Sequence, residues 1–534
     1  HLSIDQRNSL NPNQSANSGL FAQSTAPGGA AGTINLNARQ VSLQNDARIS
    51  ASTTSGQSGS IQLNNLETLQ VQNSLISVST ENGTAGDILV NASQSVQLSG
   101  TLPDGSRAGL LAEATQGGSA GNLQIATSQL TIANGAQATV SSTGAGTAGA
   151  LSINASSVTL SNNARLAAET QQGSGGDIQL QGLQTLQVQN SLISVSTENG
   201  TAGDILVNAS QSVQLSGTLP NGSRGGLLAE ATQGGSAGSM QINTAQLTID
   251  TGAQATVSST ASGTAGALDI TATSVTLSNN ARLAAETQQG SGGDIQLQGL
   301  QTLQLTGNSQ ISASTIDGQG GTLSVAAARS INLSGNSSLL ARATGDGSAV
   351  ALSVTTGQLT LEQAEISTST AGQGNAGKIA IQANALDLAR GSRVTSLSSG
   401  TGNAGSITIN LRDRLTASAS TISAASERGG GGQIAITAQD IRLRRSSPVT
   451  SSVFDGAGGG GSISFSSNIF IALEDSDILA NAVFGGGGRI NINAPVFIAD
   501  IFANVGQNPG RDFSRFRGNG RVDISASSQF GVQG

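Results

Sequence analysis

Apolar and polar residues alternate along this chain in short bursts. Between Gly149 and Gly175, Leu151 and Ile153 form one burst, Val158 and Leu160 a second, Leu166 and Ala168 a third. Ser152, Asn154 and Thr159 fall between them. A period of two is the signature of a strand with one face buried and one in water. Turn chemistry separates the bursts, first Asn162-Asn163 and then Gln172-Gly173-Ser174-Gly175. Asn and Gly tolerate the left-handed backbone that tight corners need. No long stripe with helical spacing appears, and the 72 glycines fall at about every seventh of the 534 residues, so helix is disfavoured.

The bursts belong to a repeat. Each begins at a small residue followed by an alternating strand, as in Gly86-Asp87-Ile88-Leu89-Val90 and Gly149-Ala150-Leu151-Ser152-Ile153. Seventeen such openings run from Gly32 to Gly488; Val350 is the one that is not glycine. Their sixteen intervals are 27 to 29 residues long except for two of 35, and their mean is 28.5. A longer period is superimposed: Thr68 to Pro103 recurs unchanged at Thr185 to Pro220, and Ser157 to Gln187 at Ser274 to Gln304, both at an offset of 117. Fixed self-similarity at this period marks a solenoid.

Three strands per repeat, stacked in register, predict an all-β fold: a right-handed parallel β-helix of about 17 coils, each of roughly 28 residues. The expected solenoid runs from about Gly32 to Ala494. One coil cannot stand alone. Burying about six small aliphatics contributes roughly 1.5–3 kcal/mol each, against an ordering cost of about 1–2 kcal/mol for every residue. Neighbouring coils must supply the difference. The expected organisation is a partial first coil with an insert loop over residues 1–31, the repeat region over 32–488, and a Phe/Arg-rich terminal coil and cap over 489–534.

The two 35-residue intervals each carry an insert, Thr101 to Arg107 and Thr218 to Arg224. Pro12 followed by Gly19-Leu20-Phe21-Ala22-Gln23 repeats the theme near the N-terminus. Insertions confined to one face of a solenoid often bind partners. Pro103, Asp104, Arg107, Pro220, Asn221 and Arg224 are therefore binding candidates, with a plain corner loop as the alternative.

Composition narrows the picture. Aromatics make up 2% of the chain, with neither Tyr nor Trp, so the core is a thin aliphatic layer. The net charge is −8, with 31 acids against 23 bases and no basic stripe, which argues against a nucleic-acid partner. No run approaches the length of a membrane span. Cysteine is absent. The chain opens at His1-Leu2-Ser3, as expected of a processed product or a fragment. Nine of the ten Phe lie between Phe454 and Phe530. Phe513, Phe516 and Phe530 are candidates for a cap that closes the apolar end of the stack. The unpaired edges of a stack's ends invite end-to-end self-association.

Gly374-Asn375-Ala376-Gly377-Lys378-Ile379-Ala380-Ile381, Gly402-Asn403-Ala404-Gly405-Ser406-Ile407-Thr408-Ile409 and Ser95-Val96-Gln97-Leu98-Ser99-Gly100-Thr101 resemble the coil repeats of the filamentous-haemagglutinin-like large exoproteins of cyanobacteria. Asp523 to Val532 resembles the C-terminal part of the same family. The resemblance covers nearly the whole chain. It implies export by two-partner secretion through an outer-membrane transporter, and a secreted or cell-surface location. The family's N-terminal secretion domain is not among these residues. The function expected is a structural fibre or adhesin meeting glycans or cell surfaces. The alternative is the stalk of a contact-dependent delivery or toxin system whose active domain lies elsewhere.

Candidate chemistry is sparse. Asp177 and Asp204 are one repeat apart, and stacking brings their carboxylates close enough to recruit a cation. Two carboxylates make a poor calcium site without further oxygen ligands, and solvated corner acids are the plainer reading. His1 is the sole histidine, so familiar nucleophile and base pairs cannot be assembled. Glu113 with Glu169, or Glu230 with Glu286, could be imagined as a polysaccharide-cleaving acid pair. Each stands in a Ser/Thr/Gln surface with no aromatic platform. No enzymatic activity and no cofactor are expected.

Overall fold

Leu151, Ile153, Val158, Leu160, Leu166 and Ala168 are all buried, as the alternation requires, while Ser152, Asn154 and Thr159 keep contact with solvent. In the computed structural model, which describes residues 1–5, 18–26, 28–501, 516 and 518–530, this pattern builds a parallel β-solenoid of about 17 turns. Among the described residues there is no α-helix, and no helix long and apolar enough to cross a membrane. The chain divides into two compact units, His1–Ala272 and Thr273–Gly534.

In the first unit, Ile88, Leu123, Leu151, Ile178 and Ile205 are successive register partners in parallel strands, and all are buried. They form one of the inward columns that the repeat predicts. A typical turn consists of a long strand, Leu151–Ser161, and a short one, Arg165–Ala167. Isolated parallel bridges from Thr170 to Ser142 and to Thr197 follow. The three expected segments are present, but the first two run on as one bent strand. The bend shows as a register shift, between Asn154 and Ser157 in this turn. Gly182 in the next turn takes a positive φ of 71° at the same place.

In the second unit the same plan holds, with Glu365–Ser367, Arg393–Thr395 and Thr421–Ser423 stacked as short strands. Its last turns separate the first two segments, as in Gln433–Thr437 and Asp440–Arg444. Here aromatic rings enter the core. Phe465 meets Phe470 edge to face at 4.8 Å, and Phe470 stacks on Phe497 at 5.7 Å.

The Asn corners behave as expected: Asn162, Asn163 and Asn190 have φ of 55°, 65° and 48°. Behind the Asn190 corner a buried serine ties two turns together. The Ser191 hydroxyl donates to the Gln189 carbonyl at 2.8 Å and accepts the Ala164 N–H of the preceding turn at 3.1 Å.

The expectation for the Gln172-Gly173-Ser174-Gly175 corner needs correction. Its glycines do not have left-handed backbones, and neither do the opening glycines Gly149, Gly176 and Gly203. They are required by close approach. A Cβ on Gly176 would lie 1.8 Å from the Gly149 carbonyl oxygen, and one on Gly203 would lie 2.1 Å from that of Gly176. Turn sits on turn through bare backbone.

Candidate functional site

The inserts are small self-closed hairpins. Thr101 and Arg107 form an antiparallel bridge. The Leu102 N–H donates to the Ser106 carbonyl at 2.8 Å, and the Gly105 N–H to the Leu102 carbonyl at 2.9 Å. Pro103 and Asp104 occupy the centre of this turn, and Gly105 follows with a positive φ of 84°. Pro thus supplies the preset φ and Gly the left-handed position that such a loop demands. The Asp104 carboxylate accepts the Ser106 N–H at 2.8 Å and its hydroxyl at 2.6 Å. Those bonds, the hydroxyl's first, hold its carboxyl below the usual range.

The second hairpin repeats this geometry with Asn221 accepting from Ser223. Pro103, Asp104, Pro220 and Asn221 are exposed at the same corner, four register steps apart along the first unit. The arginines are placed differently. Arg107 turns back and donates to the Gly135 carbonyl at 2.9 Å, to the Asn163 carbonyl, and to the Asn163 side-chain oxygen at 3.0 Å. Arg224 donates to the Gly252 carbonyl at 2.9 Å. Both serve as staples across turns rather than as loop-tip contacts. The N-terminal insert around Pro12 lies outside the described residues.

Asp177 and Asp204 are exposed one turn apart, and both carboxylates have structural partners. The Asp204 N–H donates to Asp177 Oδ1 at 2.9 Å, and the Ser239 N–H to Asp204 Oδ1 at 2.7 Å. Asp87 does the same for Asn122 at 2.8 Å, and Asp294 for Thr322 at 2.8 Å. An acid at this position caps the N–H that begins the next turn's strand. Among the described residues, no group of three or more His, Cys, Asp or Glu side chains is placed to hold a metal.

At the C-terminal end, Phe516 is buried. Phe530 is exposed and stacks on Phe484 at 5.4 Å, while Phe513 lies outside the described residues. Ile524–Ser525 pairs in parallel with Ile478–Leu479, so this segment adds a short strand to the last turn. Two aspartates hold it. Asp475 accepts the N–H groups of Gly518, Asn519 and Gly520 at 2.9, 3.0 and 3.3 Å. Asp477 is buried and accepts the Asp523 N–H at 2.9 Å. Burial, with the nearby Asp475 and Asp523 charges, pushes its carboxyl up to about 7.

Charged side chains also gather outside the short strands. Glu113 is pushed above the usual carboxylate range, first by burial and then by the Glu169 charge, against the Thr139 hydroxyl and Arg165. Arg165 pairs with Glu169, and Arg282 with Glu286, each four residues on. In the second unit a groove of about 330 Å³ opens at the corner holding Arg390 and Arg393. Sequence reasoning passed over this groove, although the spacing of Arg165 to Glu169 and its breakdown at Arg393 to Leu397 were legible.

Comparison with protein-family models, with curated proteins and with solved structures finds no match for this chain. What the fold defines is the class, a repeat protein of the parallel β-solenoid kind. Its outer faces carry rows of polar side chains.

Proposed function

We propose that this chain is the repeat region of a secreted or cell-surface structural fibre or adhesin of the filamentous-haemagglutinin-like kind. It has no catalytic activity of its own and leaves the cell through an outer-membrane two-partner secretion transporter. The observation that carries the reading is the uniformity of the turns. Inward aliphatic columns and outward Ser, Thr, Gln and Asn rows recur through each unit. A surface of that kind offers many equivalent hydrogen bonds and little apolar area for a single tight dock. Contacts with glycans or cell surfaces are then individually weak and gain strength by number. Nearest-neighbour stacking also suits a chain that folds progressively as it emerges, since each new turn needs only the one before it.

The test is antibody labelling of intact producing cells, with and without the transporter, alongside their attachment to a polysaccharide-coated surface. Labelling and attachment that both disappear with the transporter are expected. Label found only after the cells are opened would overturn the proposal.

A further inference from the structure

Short strands in this fold begin at an outward position that is repeatedly an arginine. Arg165 heads Arg165–Ala167, Arg282 heads Arg282–Ala284, and Arg393 heads Arg393–Thr395. The first two are neutralised within their own turn by the glutamates four residues on, Glu169 and Glu286. At the third, the residue four positions on is Leu397.

The turn before offers no substitute. Glu365 is the register partner of Arg393, but its carboxylate is held by Arg342 and accepts the Thr395 hydroxyl at 3.3 Å. Among the described residues Arg393 has no ion pair, and it is exposed. Arg390 lies three residues earlier, on the left-handed corner with φ of 54°. It shares its charge with Glu362 while remaining largely exposed.

Between these side chains runs the groove of about 330 Å³, lined also by Asn336, Ser338, Gln363 and Glu365. Its size is at the lower end of small-ligand sites. It therefore combines one unbalanced guanidinium, a second that is half-engaged, the Glu365 carboxylate already neutralised by Arg342, two side-chain amides and the Ser338 hydroxyl.

We propose that this groove binds a carboxylate-bearing saccharide, with the uronate carboxylate on Arg393 and Arg390 and the ring hydroxyls on Asn336, Gln363 and Ser338. One net positive charge matches one carboxylate, whose planar oxygens fit the guanidinium fork. Amides and hydroxyls both donate and accept, as sugar hydroxyls require. The inference deepens the adhesive reading by naming a ligand class and a place. It rests on that reading only for the choice of a saccharide.

The experiment is calorimetric titration of the full chain with an oligomer of galacturonic acid. A neutral galactose oligomer and a sulfated galactose oligomer of equal length serve as comparisons. The uronate oligomer is expected to bind, more weakly as salt rises, and the neutral oligomer to bind at least about tenfold less tightly, as loss of a charge-assisted contact requires. Arg393→Gln should weaken uronate binding by about tenfold. Leu397→Glu should weaken it similarly by restoring the internal partner found at Arg165, although Arg393 is still present. Arg165→Gln should leave binding unchanged, and circular dichroism should show all three variants folded. Equal binding of uronate and neutral oligomers, binding of the sulfated oligomer alone, or no effect of Arg393→Gln would each overturn the proposal. Cell attachment that persists in Arg393→Gln would leave the adhesive reading standing without this site.

Discussion

Replacing Gly149 by alanine tests how the turns touch. A Cβ there would lie 1.9 Å from the Gly121 carbonyl oxygen and 2.5 Å from its carbonyl carbon. Both obstacles are backbone, so no side-chain rotation relieves them. The turns must part locally, where the Leu123 N–H donates to the Ala150 carbonyl at 3.0 Å and the Gly149 N–H to the Val140 carbonyl at 2.9 Å. Overpacking of this kind costs about 1–3 kcal/mol, and weakening two hydrogen bonds adds about 1–3 kcal/mol. The reduced entropy of the unfolded chain returns only about 0.4–1 kcal/mol. A net loss of about 2–5 kcal/mol is expected, concentrated at one junction because stability in a solenoid passes between neighbours.

Gly32 is the matched control. It opens a turn in the same way, but among the described residues its Cβ would meet only the Ala22 Cβ at 3.5 Å, so Gly32→Ala should be neutral or slightly stabilising. Urea unfolding followed by circular dichroism gives the total, and hydrogen exchange at Leu151 and Ile153 locates the opening. Equal midpoints for Gly149→Ala and the parent, or equal losses for the two variants, would refute the close-approach explanation.

Arg107→Ala removes donors from the Gly135 and Asn163 carbonyls and should cost about 1–3 kcal/mol in urea unfolding, whereas Pro103→Ala at the exposed tip should cost less. Asp204→Ala leaves the Ser239 N–H without its carboxylate and should cost about 0.5–1.5 kcal/mol. Added calcium should not raise the Tm of the parent chain, because both carboxylates of the pair serve as caps; a rise that Asp204→Ala abolishes would mark a cation site instead. The raised carboxyl of Asp477 means the folded state holds its proton more tightly than the unfolded state does. Its contribution to stability is full below the ordinary carboxylate range and lost as pH rises through about 7. Asp477→Asn should therefore raise the Tm at about pH 8 and leave it nearly unchanged at about pH 4, and a larger gain at the lower pH would contradict the assignment.

Much of this fold was legible in the sequence, because one turn's inward residues are fixed by alternation alone. Leu151 and Ile153, then Val158 and Leu160, then Leu166 and Ala168 all proved buried. The openings also gave the register, since a constant interval leaves one way to stack parallel strands. The joining of the first two segments was not legible. It depends on a bend within Leu151–Ser161, where the alternation runs on through buried Ala155 and then shifts by one residue to Val158. The reason for the opening glycines was also hidden, because an approach between backbones about 27 residues apart leaves no local mark beyond the glycine itself.

The candidate sites were read less completely. The inserts and their shared corner followed from the duplicated Leu-Pro-Asp/Asn-Gly-Ser-Arg strings. That Arg107 reaches the backbone two turns away at Asn163 did not. Asp177 and Asp204 were correctly placed one turn apart, but each binds the N–H of the following turn. Such a bond is invisible until the strands are stacked.

Because the chain contains no cysteine, its register can be probed with an introduced disulfide. Ser152 and Gln179 are register partners on the outer side of adjacent turns, and neighbouring strands about 4.8 Å apart lie within the range a disulfide spans. Oxidised Ser152→Cys/Gln179→Cys protein should carry the cross-link, read by the mass of the linked peptides. Ser152→Cys/Gln181→Cys, displaced by two residues along the strand, should not. Cross-linking of the second pair in preference to the first would contradict the in-register stacking on which the whole account stands.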